Sequence, residues 1–120
     1  MECDTFNANC VLIPYNLFKK TGAMDNYYIH SLGDFDYGLS LKKNGAKIYS
    51  SVSYVGICNR NSIKNTWLDK TLPFKKRIEL KEKIKGAPTK QWFYFLKKNF
   101  GMAKAVVFTI TPYINLVLGR

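Results

Sequence analysis

Two carboxylates two residues apart, Asp34 and Asp36, lie in the stretch NYYIHSLGDFDYGLSLKKNG at residues 26–45. An aromatic run precedes them, and Lys42 and Lys43 follow. A carboxylate in that setting has two uses. It can cap a helix by accepting backbone N–H groups, or it can act as a general base that takes a proton from a hydroxyl. Caps are far commoner than catalytic bases. His30 adds an imidazole four residues before Asp34. A lone histidine is more often a plain surface or core residue than a working one.

The elements that position these groups are legible in outline. After Gly33, apolar residues fall at Phe35, Leu39 and Leu41, with Tyr37 beside them. Acid at the start, base at the end and Gly45 just beyond spell a short helix, with Asp34 as its N-cap. Upstream, residues 5–13 read as a strand ending at Pro14. Pro14 suits the first turn of a helix through Lys20, which Gly22 stops. Downstream, residues 46–50 and 53–58 read as short strands, and residues 59–65 as a loop. Residues 73–85 and 89–100 have helical patterns, separated by Gly86-Ala87-Pro88. Residues 105–118, AVVFTITPYINLVL, form the most apolar run. At fourteen residues with Pro112 inside, it is too short for a spanning helix, which needs about 20. It reads as a helix packed on the domain, meeting another copy, or lying in a membrane interface.

Taken in order, VLIP, LFKKTGAMDNYY, GDFDYGLSLKKNG and AKIY resemble the second half of the catalytic domain of family-two, inverting glycosyltransferases of the GT-A fold. The resemblance covers residues 4–61. It implies an α/β chain, α+β in isolation: a partial GT-A domain with a short mixed sheet and flanking helices, at residues 1–66. A basic, aromatic-rich helical extension follows at residues 67–120. The same resemblance implies an acceptor-side fragment that transfers a sugar from a nucleotide-sugar to a lipid-linked glycan, as in bacterial cell-surface polysaccharide synthesis. Such a fragment would be inactive alone.

The family keeps its base at the start of this helix, which maps to Asp34; the usual preceding Glu is Gly33 here. Asp36, His30 and Tyr37 map to the acceptor side. Asn7, Asn9 and Arg60 map to the donor side. The family's metal motif follows an apolar strand, whereas Asp34-Phe35-Asp36 follows His30-Ser31-Leu32-Gly33. The stretch after residue 53 also lacks the histidine that many relatives use. The resemblance leaves room for a divalent Mg or Mn ion in the complete enzyme, with ligands outside this chain. No nucleotide-binding βαβ half precedes Asp4, and no glycine-rich phosphate loop occurs.

Composition sets the outer limits. The chain has 120 residues, 47% of them hydrophobic, enough for a small core. Three cysteines without Cys-x-x-Cys or Cys/His spacing argue against a zinc site or disulfide framework and favour a reducing setting. The start, Met1-Glu2-Cys3-Asp4, has no apolar signal-peptide core. The net charge of +11 is uneven: residues 1–59 hold five lysines against five carboxylates, and residues 60–104 hold thirteen Lys/Arg against three. A basic, aromatic second half suits an anionic partner. The expected partners are the donor and acceptor of the complete enzyme, an anionic membrane surface and a homo-oligomer. The expected location is cytoplasmic, peripheral at the inner face of the cell membrane. The alternative is a non-enzymatic basic module for anionic membrane or nucleic acid. Lysines beside Trp92, Phe93, Tyr94 and Phe95 would permit base stacking, but no nucleic-acid motif occurs.

Overall fold

A computed structural model describes residues 1–59 and 61–118. Its order is β1 (Glu2–Cys3), α1 (Tyr15–Thr21), α2 (Gly33–Lys43), β2 (Ile48–Tyr49), α3 (Phe74–Glu82), α4 (Thr89–Phe100), α5 (Met102–Thr109) and α6 (Thr111–Val117). Among the described residues the chain is mixed but dominated by helix. Its contacts divide it into two units, Met1–Asn59 and Arg60–Arg120.

The first unit is built around α2. Its end is fixed by a left-handed glycine: Gly45 has φ +87°, and its N–H reaches the Lys42 carbonyl while the Ala46 N–H reaches Leu41. That pair of bonds is a Schellman closure, and it satisfies carbonyls the helix leaves open. Tyr37 and Leu41, four residues apart on one face, are buried. The Tyr37 hydroxyl donates to the Gly22 carbonyl at 2.8 Å, which fastens the end of α1 to α2. Phe6 meets the Tyr37 ring edge-on at 6.4 Å. β1 and β2 pair antiparallel, Glu2 with Tyr49 and Cys3 with Ile48.

Two sequence expectations fail here. Residues 5–13 and 53–58 have strand-like composition but form no strand. A strand is made by its ladder, and neither segment has a partner strand to bond. The mixed sheet is thus a two-residue antiparallel pair.

The second unit is a run of neighbouring helices. α4 and α5 pack along each other from the Gly101 corner, with Phe95, Leu96, Ala105 and Leu116 buried. This unit takes in the 61–66 loop along with the extension expected at 67–120, and the Asn65 N–H donates to Asp69 Oδ2 at 2.8 Å. The expected single helix over 105–118 is two, broken at Ile110. Pro112 cannot donate to the Phe108 carbonyl, and the Trp92 indole N–H takes that acceptor at 3.1 Å.

A polar knot joins α3, α4 and α6. Lys81 is 1% exposed and donates to Glu82 (2.7 Å), the Ala87 carbonyl (2.9 Å) and the Thr89 hydroxyl (3.0 Å). The Tyr113 hydroxyl donates to Glu82 at 2.6 Å. The Thr89 N–H donates to Glu82 at 3.0 Å, so Glu82 supplies the acid that the first turn of α4 lacks.

Candidate functional site

Asp34 is not the N-cap. Leu32 holds that place with a left-handed backbone, φ +70°, and α2 starts at Gly33. Asp34 is already helical, so its side chain is not in the capping position. It stays in the first turn, at the positive end of the helix dipole. Its two oxygens do other work. Oδ2 accepts the Ala8 N–H at 3.1 Å, and Oδ1 accepts the Phe35 N–H at 2.9 Å. Each carboxylate oxygen has room for a second bond. The side chain is half-buried, so it is within reach of solvent.

The Ala8 bond joins two segments that sequence reading kept apart. Asn7 and Asn9 flank Ala8 on an exposed turn, and both are themselves exposed. A second link sits one residue along, where the Thr5 hydroxyl donates to the Phe35 carbonyl at 2.8 Å. Close approach of the chain to the helix needs Gly38. A Cβ there would strike Thr5 Oγ1 and lie 3.1 Å from Thr5 Cα and 3.2 Å from the Phe6 nitrogen. The strand expected at 5–13 is therefore an irregular segment laid over α2, and it brings the Asn7–Asn9 turn to Asp34.

The remaining expected residues scatter. His30 is exposed, at the bend before α2. Asp36 is 2% exposed and Tyr37 6% exposed. Both belong to the core side of α2, and the Tyr37 hydroxyl is committed to Gly22. Of these three, His30 is exposed, while Asp36 and Tyr37 are buried within the unit. Arg60 lies outside the described residues. A cleft of about 600 Å³ opens elsewhere on the same unit, lined by Asn7 but not by Asp34. Its wall is largely apolar, and among the described residues Lys47 is its single charged side chain.

Among the described residues no three His, Cys, Asp or Glu side chains gather where a metal ion could be held. The described residues of this chain therefore offer no donor set for a metal ion. What sequence reasoning missed was Ala8. Its contribution is a backbone N–H, which leaves no mark in the sequence. The chain matches no protein-family model, no curated protein and no solved structure.

Proposed function

We propose that the chain is the acceptor-side part of an inverting, family-two glycosyltransferase of the GT-A fold, with Asp34 as its base. One observation supports this above the others: the Ala8 N–H bond to Asp34 Oδ2 (3.1 Å). It holds the expected base beside the turn expected to border the donor sugar. Inversion is a single displacement, so base, acceptor hydroxyl and anomeric carbon must meet in one place. The hydroxyl oxygen forms its bond to the anomeric carbon as the bond to the nucleoside diphosphate breaks on the opposite face. The hydroxyl proton passes to Asp34. Ala8 and Phe35 fix the carboxylate while leaving lone pairs on both oxygens.

On this reading the complete enzyme takes a nucleotide-sugar donor and a lipid-linked glycan acceptor for cell-surface polysaccharide. It works at the cytoplasmic face of the cell membrane, held there peripherally. Mg or Mn, if the complete enzyme uses one, is bound by residues outside this chain. The alternative, a non-enzymatic module binding anionic membrane or nucleic acid, draws on the charge imbalance between the halves.

The experiment is transfer from a panel of UDP-, GDP- and dTDP-sugars to lipid-linked acceptors by the complete enzyme, parent against Asp34→Asn. Loss of transfer with donor binding retained supports the reading. Equal turnover by the two proteins overturns it.

A further inference from the structure

We propose that α5, α6 and the elbow between them form a membrane-contact element that lays its apolar side chains into the interfacial layer of an anionic lipid surface. The inference rests on the second unit alone and is independent of the sugar-transfer reading. Ala105 and Leu116, at 0% and 3% exposure, are the residues of these helices that the unit buries. Met102, Val106, Val107, Ile110, Ile114 and Val117 are left outward, with Val107 at 63% and Val117 at 70%. Soluble surfaces rarely gather so many apolar side chains over so short a run without a partner.

Shape limits how lipid can be met. The break at Ile110 leaves helices of eight and seven residues, roughly 12 and 10 Å long. A bilayer core is about 30 Å thick, and among the described residues no helix is long and apolar enough to cross it. Short helices joined at an elbow can instead lie in the interface plane.

Charge selects the occupant. Residues 83–118 contain no carboxylate and six lysines. Lys97, Lys98 and Lys104, all exposed, cluster in sequence around the Gly101 corner that joins α4 to α5. A second copy would set +11 against +11. Single-stranded nucleic acid needs free aromatic faces, yet Phe95 is buried and Trp92 is stacked on it at 5.7 Å. An anionic bilayer answers both features at once, with headgroups for the lysines and acyl chains for the elbow.

The test is co-sedimentation of the full chain with vesicles of phosphatidylcholine, alone or mixed equally with phosphatidylglycerol, at low and high salt. Binding is expected to the mixed vesicles, weakening steeply as salt screens the charges. Replacing Lys97, Lys98 and Lys104 together with alanine should lower partitioning about 100-fold, near fivefold per lysine. Val107→Glu with Val117→Glu should abolish binding while circular dichroism stays unchanged. Val52→Glu, on a fully exposed residue of the first unit, should bind as the parent does, and so should Asp34→Asn. Equal binding to neutral and mixed vesicles overturns the proposal, as does parental binding by the double glutamate variant. Self-association lost in that variant, with no vesicle binding by the parent, overturns it and gives the face to a second copy. Tighter binding to single-stranded DNA than to vesicles overturns it as well.

Discussion

Asp34 carries both a joint and a proposed reaction, and the two can be separated by substitution. Asn keeps an oxygen for the Ala8 N–H but accepts no proton. Asp34→Asn should therefore lower the transfer rate of the complete enzyme about 10²–10⁴-fold with little change in melting midpoint. Asp34→Ala should lose the rate and also loosen the 7–9 turn. Asp36→Asn is expected to show in the melting midpoint instead, since its side chain is buried at 2% exposure. Steady-state rates and thermal melts on the three variants check this. A rate loss in Asp36→Asn larger than in Asp34→Asn would move the base by two residues. The position of Asp34 was legible because acid, helix start and closing glycine fall at fixed spacings. The burial of Tyr37 was half legible: it stands four residues from Leu41, which is the spacing of a shared helix face. Its bond to Gly22 was not, since the partner is a carbonyl.

Helices were read more truly than strands. α1 and α4 fall within a residue of the expected spans because Pro14, Gly22, Pro88 and Gly101 mark their ends locally. Residues 5–13 and 53–58 have the right composition for strands, but pairing is a property of two segments and is written in neither. The laid-over segment 5–7 makes its own prediction. Gly38→Ala would force the Thr5–Phe6 backbone off α2, at about 1–3 kcal/mol for overpacking. Donor-side and base-side residues would part, so transfer should fall along with the melting midpoint; an unchanged midpoint would mean that the segment adjusts freely. The knot around Glu82 predicts a pH response. Burial pushes its carboxyl up, but hydrogen bonds from Lys81, Tyr113 and Thr89 outweigh this and hold the pKa at about 2, against 4.5 ordinarily. A depressed carboxyl stabilises the fold above the ordinary value and loses that contribution as pH falls from about 4.5 toward 2. Melts of the parent should drop across that window. Glu82→Gln should start lower at neutral pH and drop less. Exposed Glu79, also held near 2 by Lys83 and Lys76, titrates in the same window, and high salt weakens its part.

At the scale of the molecule, charge and structure divide at the same residue. Met1–Asn59 is formally neutral, and Arg60–Arg120 carries the whole +11. The charge shift was visible in the sequence; the bond from the Asn65 N–H to Asp69, which ties the 61–66 loop to the second unit, was not. The sequence has no glycine-rich phosphate-loop motif, and among the described residues the cleft of the first unit offers a diphosphate little beyond Lys47. Calorimetry against UDP-, GDP- and dTDP-sugars should therefore find no micromolar binding by this chain. Such binding by any of them would place a donor site within this chain. The two-residue ladder of β1 with β2 has a further consequence, in time rather than space. Ser50 N–H bonds the Met1 carbonyl at 2.9 Å, so the first unit closes its beginning onto residues almost fifty positions later. The second unit closes over shorter spans: α5 lies on its neighbour α4, and Tyr113 reaches back thirty-one positions to Glu82. Distant closures are slow and local ones fast. Although it is synthesised after the first, the second unit should refold first after dilution from denaturant, leaving the β1–β2 ladder as the final contact to form.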